Sequence, residues 1–256
     1  MRYGLLLPLV LLSFAKGGVD LRVIAGRPVV DGVYVNGHGP YRFLVDTGTS
    51  MNHLEPGLAA EAGLRATFRT ELASSLGSIV VPGIDGITVE LGGLQADRQR
   101  FLFGGIDALH GLSDGIQGVL GQAFLSQFDY LIDLRGKRLS FGKQEAKGSR
   151  AQFQAVNGRT VVATNLGNLV LDSGAARLVL FGIEALIDGQ SLMRTMAGSS
   201  LVGLVPRRLT IEGRHVWKGQ AVAIQKQEQP GVAGLMPIHL FRAVYVCNSE
   251  GYLVFE

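Results

Sequence analysis

Apolar residues in this chain come in short runs separated by glycine and by small polar clusters. Ile87 to Leu91 alternates apolar and polar before Gly92-Gly93, the period-two pattern of a half-buried strand ending in a turn. Tyr41 to Val45 and Leu169 to Leu171 read as short strands. Tyr130 to Leu134 and Leu139 to Phe141 flank Arg135-Gly136-Lys137 and predict a hairpin. Tyr245 to Cys247 and Tyr252 to Phe255 repeat that arrangement around Gly251. Leu21 to Ala25 and Gly32 to Val35 supply the first strands. Helical patterns are short, at Pro56 to Ala62 and Phe181 to Ile187. Ala221 to Ile224 and Leu235 to Leu240 are core strand or helix material. Lys143 to Arg150 is poor in apolar residues and predicts a connector between two halves.

The second half repeats the first. Leu44-Val45-Asp46-Thr47-Gly48 returns as Val170-Leu171-Asp172-Ser173-Gly174. Ala73-Ser74-Ser75-Leu76 is matched by Gly198-Ser199-Ser200-Leu201, and Val81-Pro82 by Val205-Pro206. Ile87-Thr88-Val89-Glu90 is matched by Leu209-Thr210-Ile211-Glu212 and Gly118-Val119-Leu120 by Gly234-Leu235-Met236. Tyr130-Leu131-Ile132-Asp133 is matched by Tyr245-Val246-Cys247-Asn248. The order is kept while the offset only shrinks, as expected of a duplicated unit with small deletions in its second copy. The period is too long for a solenoid repeat and suits a small domain. The expected organisation is a signal peptide over 1–15, an N-terminal lobe over 16–142, a linker over 143–150 and a C-terminal lobe over 151–256.

Composition narrows the class. Hydrophobic residues are 47% and charged residues 18% of the 256, so the chain can build a substantial core. The 36 glycines suit many tight turns between short strands. A net charge of +3, with Lys137-Arg138 as a brief basic cluster, gives no concentrated surface for nucleic acid. Leu5 to Phe14 is too short an apolar run to span a bilayer, and it follows Arg2 and precedes Ser13 and Ala15. It reads as a signal peptide cleaved after Ala15, with the mature chain exported, secreted or periplasmic, and without a stable membrane span. Cys247 is the single cysteine, so no internal disulfide forms and the fold relies on its core.

Each repeated Asp follows an apolar strand and precedes Gly two residues on. The strand carries the carboxylate inward, and the glycine lets the backbone turn so that N–H groups point at it. One Asp-Thr-Gly is ordinarily a turn. Two at equivalent places in a duplication would meet on a pseudo-two-fold axis. Paired carboxylates share one proton, so one can act as base while the other acts as acid on a water held between them.

These residues resemble the aspartic peptidases of the pepsin and retropepsin clan. The resemblance rests on Val45-Asp46-Thr47-Gly48-Thr49-Ser50, Leu171-Asp172-Ser173-Gly174-Ala175 and Gly118-Val119-Leu120-Gly121. Phe124-Leu125, Phe128-Asp129-Tyr130 and Ile132-Asp133 are also similar to the family. It implies an all-β, two-lobed β-barrel fold with internal duplication and short helices. It further implies an endopeptidase with Asp46 and Asp172 as catalytic residues, no cofactor and no metal. The partner would be a peptide or protein substrate, and the chain a monomer acting as a pseudo-dimer. Thr47 and Ser173 would cross-link the two loops, Thr49 would bond the outer oxygen of Asp46, and Gly48 and Gly174 would support the site. Flap candidates are Ser74, Ser75, Leu76 and Gly77 and, in the second half, Ser199 and Ser200 within a hairpin over Gly198 to Val202. Departures are the lack of a flap aromatic, His53 where pepsins carry Trp, Ala175 opposite Thr49, and Pro237 opposite Gly121.

Rival readings are weaker. Gly111-Leu112-Ser113-Asp114-Gly115 fits G-x-S-x-G, but glycines 115, 118 and 121 interrupt the helix such a motif needs. His38, His53, His110, His215 and His239 show no ligand spacing. The alternative of substance is a catalytically inactive peptide-binding protein of the same fold.

Overall fold

The computed structural model describes residues 18–74, 77–104, 115–184, 190–195, 198–225 and 230–256. The first half runs β1 (Gly18–Ile24), β2 (Arg27–Val35), β3 (His38–Val45), β4 (Asn52–Leu54), α1 (Pro56–Glu61), β5 (Phe68–Ser74), β6 (Gly77–Leu91), β7 (Leu94–Phe103), β8 (Gly118–Leu120), α2 (Gln122–Leu125), β9 (Tyr130–Asp133) and β10 (Arg138–Phe141). The second half runs β11 (Ser149–Val156), β12 (Arg159–Thr164), β13 (Gly167–Asp172), β14 (Val179–Phe181), β15 (Gln190–Thr195), β16 (Gly198–Ile211), β17 (Arg214–Ile224) and β18 (Gly234–Pro237). A single 3-10 turn (Ile238–Leu240) then leads into β19 (Ala243–Cys247) and β20 (Tyr252–Phe255). The fold is all-β and pepsin-like.

The halves share one wiring. β3 lies parallel to β8, with Val45 beside Leu120, and β13 lies parallel to β18, with Leu171 beside Met236. β4 runs parallel to β7 and antiparallel to β8; β14 does the same with β17 and β18. Phe43-Leu44-Val45 and Leu169-Val170-Leu171 are buried throughout. Phe43, Val45, Leu169 and Leu171 enter the main core, whereas Leu44 and Val170 fill separate clusters on the opposite face. Cover on both faces explains why these runs are uninterruptedly apolar rather than alternating.

The halves join through a six-stranded antiparallel sheet in the order β1-β10-β9-β19-β20-β11. At its centre Leu131 lies opposite Tyr245, with Tyr130 opposite Val246 and Ile132 opposite Val244. The ladders therefore equate Leu131 with Tyr245, one residue off the Tyr-to-Tyr match read from the sequence. A similar slip occurs upstream. The β6–β7 turn closes at Leu91 and Leu94, and the β16–β17 turn at Ile211 and Arg214. Leu91 thus corresponds to Ile211, and the Ile-Thr-Val-Glu match is two residues out. Turn position, not side-chain identity, sets register here.

Two local expectations are corrected. The helix expected over Phe181 to Ile187 does not start there: Val179–Phe181 is a strand pairing with β17 and β18, and Gly182 follows at φ 68°. Residues 185–187 lie outside the described set. The connector expected over Lys143 to Arg150 is shorter, because Ser149 and Arg150 already pair with Phe255 and Val254 in the joining sheet. The expected first helix is present as α1. The 1–15 segment and Ser113 lie outside the described residues.

Gly118 and Gly234 show why glycine is required behind the site. A methyl group on Gly118 would press on the His53 carbonyl oxygen and the Phe43 ring; one on Gly234 would strike the carbonyl of Val179. His53 and Val179 hold the same place in the two halves, opposite Val119 and Leu235. Both clashes involve backbone, which cannot rotate away. Gly234→Ala is expected to cost about 2–3 kcal/mol in chemical denaturation, and Gly118→Ala a similar amount.

Candidate active site

The site forms where β3 and β13 end side by side. Asp46 follows Val45, its N–H donating to Leu120 O at 2.9 Å, so the β3–β8 ladder runs up to the carboxylate. Asp172 is the last residue of β13. The loops that follow are cross-linked by four reciprocal hydrogen bonds. Thr47 N–H donates to Ser173 Oγ at 2.8 Å, and Ser173 Oγ–H donates to Val45 O at 2.7 Å. Ser173 N–H donates to Thr47 Oγ1 at 3.0 Å, and Thr47 Oγ1–H donates to Leu171 O at 2.7 Å. Thr47 and Ser173 are fully buried, so each hydroxyl uses donor and acceptor at once.

This clamp brings the carboxyls together. Gly48 N–H donates to Asp46 Oδ1 at 2.8 Å; Gly174 and Ala175 N–H both donate to Asp172 Oδ1 at 2.8 Å. A methyl group on Gly48 would collide with the Asp172 carboxyl, and one on Gly174 with the Asp46 carboxyl. Each acid thus packs on the other half's glycine. Two carboxyls held this close disfavour double ionisation. Burial first, and the neighbouring Asp46 charge second, push Asp172 up to about 8. Burial also raises Asp46, against the opposing hydrogen bond from Gly48. Asp172 is 8% exposed, while Asp46 keeps a partial opening to solvent.

Behind the Asp46 loop stands a buried polar network. Asn52 Oδ1 accepts Gly121 N–H at 2.9 Å, and Asn52 Nδ2 donates to Gln99 Oε1 and Arg100 O. Gln122 Nε2 donates to Thr47 O at 3.1 Å and reaches Thr160 Oγ1 in the other half at 3.4 Å. His53 is buried and held near 4 by desolvation, hence neutral at physiological pH; its Nδ1 lies 3.0 Å from Gly104 O. Thr49 does not reach Asp46 as expected. Its hydroxyl sits 3.4 Å from Met51 O and 3.4 Å from His53 Nε2. With His53 in place of a large aromatic, the hydroxyl finds a partner behind the loop.

β5–β6 forms one hairpin, with Ser74 opposite Gly77; Ser75 and Leu76 lie outside the described residues. β15–β16 forms a second, but its turn falls between Thr195 and Gly198. Ser199 and Ser200 therefore lie in the returning strand, opposite Arg194 and Met193, and not at the tip. Val80 and Leu201, both fourth in their returning strands, are 61% and 64% exposed.

The residues that the sequence reading missed are arginines. Arg27 opens β2 and Arg159 opens β12. Arg27 Nε–H donates to Gly174 O at 2.6 Å, across the boundary between halves. The repeated dipeptides Gly26-Arg27 and Gly158-Arg159 were the available signal.

Residues 32–124 match the family model described as aspartyl protease. These residues belong to that family. The matched aspartyl protease segment contains Asp46, Thr47 and Gly48, the β6 strand of the first hairpin, and β8 behind the loop. No curated protein matches the chain in sequence.

Two expectations follow. Thr47→Val and Ser173→Ala each strand buried backbone partners and should cost about 2–4 kcal/mol. The double variant should cost clearly less than their sum in denaturant unfolding, because they break one shared network. The second concerns pH. Asp172 has a folded pKa above the ordinary 3.8. Its contribution to stability is full below the unfolded value and is lost as pH rises through the folded one. Asp172→Asn carries no such proton. Relative to wild type it should gain on the order of 3 kcal/mol between pH 4 and pH 8, read as diverging melting temperatures.

Proposed function

We propose that this chain is an aspartic endopeptidase in which Asp46 and Asp172 together activate one water for attack on a peptide carbonyl. The observation that carries the reading is the reciprocal clamp between Thr47 and Ser173, which packs the Asp46 and Asp172 carboxyls on one another's glycines, so that the pair would share one proton. In that state the ionised carboxylate takes a proton from the bound water as it attacks. The protonated carboxyl gives its proton to the carbonyl oxygen, forming a tetrahedral diol. Transfer of a proton to the amide nitrogen then releases the amine. No covalent adduct with the chain is needed.

The substrate proposed is an extended peptide lying between the halves. The hairpins β5–β6 and β15–β16 would act as two flaps, with exposed Val80 and Leu201 as apolar surfaces for its side chains. The single chain would act alone, as a monomer whose halves replace two subunits. Export after removal of 1–15 would place it outside the cytoplasm.

Asp46→Asn and Asp172→Asn should each lower peptide cleavage at least about a thousandfold, since an amide can neither share the proton nor act as base. The assay is a peptide library screened from acid to neutral pH, with fragments read by mass spectrometry. Cleavage that survives both substitutions sinks the proposal. Binding of peptides without cleavage by wild type would favour an inactive peptide-binding protein.

A further inference from the structure

Two hairpin turns cross from one half to the other and meet the site from opposite sides. β1 and β2 join through Ala25-Gly26, with φ 48° and 80°; β11 and β12 join through Asn157-Gly158, with φ 50° and 75°. Both are two-residue turns with positive φ at each position, a geometry that suits the twist of a hairpin. Each delivers an arginine as the next residue. The ladders make them equivalent: Val29 pairs with Leu44 as Val161 pairs with Val170, two residues after Arg27 and Arg159. Gly26 packs on His239, just past β18 in the second half; a methyl there would lie 3.0 Å from the ring. Gly158 packs on Ser50, just past the Asp46 loop in the first half; a methyl there would lie 3.4 Å from the Ser50 Cβ.

We propose that Arg27 and Arg159 are a matched pair of cationic positioning residues that keep one negative charge on the Asp46–Asp172 pair. Arg27 does so in two ways. Its Nε–H grips Gly174 O at 2.6 Å, fixing the peptide whose other end, Ala175 N–H, donates to Asp172 Oδ1. Its charge, part-buried in a site of low dielectric, attracts both carboxylates. Arg159 is 9% exposed, and its charge acts on Asp172. Its neighbour Thr160 meets the Gln122 amide that also donates to Thr47 O, so the start of β12, which carries this arginine, contacts the support of the opposite loop.

Among the described residues, the two histidines beside the loops add no charge at neutral pH. His53 on β4 is buried behind Asp46 and neutral. His239 is lowered by burial first and by Arg27 second, and its buried Nδ1 has no hydrogen-bond partner. Without the arginines, two acids raised by desolvation would stay fully protonated to higher pH and the base would be missing.

The inference rests on the proposed dyad, and the test separates the two. Full-length chain labelled at aspartate Cγ is titrated by NMR, with Asp46→Asn and Asp172→Asn assigning the signals. Cleavage of the best peptide is followed over the same pH range. Arg27→Met and Arg159→Met should each move the lower ionisation midpoint of the pair up by about one unit, and the acid limb of activity with it. Arg27→Lys, which keeps the charge, should return the midpoint to within a few tenths of wild type. A folded Arg27→Met with an unmoved midpoint overturns the inference. If Arg27→Met does not fold, Arg27→Gln against Arg27→Lys decides, since both keep a donor and only one keeps the charge: equal midpoints overturn the inference. A wild type that cleaves nothing, with midpoints that still move, removes the hydrolytic reading and leaves this one standing.

Discussion

Two acids of like charge are held against each other, and the rest of the structure exists to make that tolerable. Left free, carboxylates at hydrogen-bond distance separate or take up a proton each. Here the Thr47–Ser173 clamp fixes the backbones that carry them, and each acid rests on the opposite glycine. The clamp uses only short, buried, uncharged groups. It therefore does not weaken as the acids change ionisation, and the energetic cost of desolvation appears as a retained proton rather than as displacement. Holding that geometry requires both halves to be rigid to the strand ends, which the parallel β3–β8 and β13–β18 pairs and the shared antiparallel sheet provide.

Much of this was legible in the sequence because the constraint is chemical and local. Asp-Thr-Gly and Asp-Ser-Gly after apolar strands, and Gly118 matched by Gly234, are positions where few residues work. The all-β class followed from short runs and turns. What misled was identity without a geometric demand. The Ser-Ser-Leu segments look alike, yet one spans a turn and the other returns from it, because a hairpin is registered by its turn. Phe181 looked helical because a three-residue strand buried on all sides has no alternation to betray it. The arginines escaped notice because a single Gly-Arg carries no information until the ladders equate the two copies.

The two copies are not electrostatically equal. Behind Asp46 lie Asn52, His53, Gln99 and Gln122, all buried and hydrogen-bonded. Behind Asp172 the places matching Asn52, His53 and Gln122 hold Leu178, Val179 and Ile238, which are apolar. Asp172 compensates through a second backbone donor, Ala175 N–H. One acid thus sits against polar side chains and the other against aliphatic ones. A symmetric dimer of identical chains could not make that distinction in its sequence; a duplicated single chain can.

One exchange between the halves shows how such drift stays compatible with folding. In the first, Gly121 has a buried N–H that must be satisfied, and Asn52 Oδ1 accepts it at 2.9 Å. In the second, the ladders put Pro237 at the place of Gly121 and Leu178 at that of Asn52. Proline has no N–H, so no acceptor is needed, and a leucine can fill the space without stranding a donor. Either residue changed alone would bury an unpaired polar group: an amide facing no donor, or a donor facing a leucine. The paired exchange avoids both. The apolar backing of Asp172 is thus permitted by the loss of one hydrogen atom on the neighbouring strand, and Pro237, read from sequence as a departure from the family pattern, is half of a compensated pair.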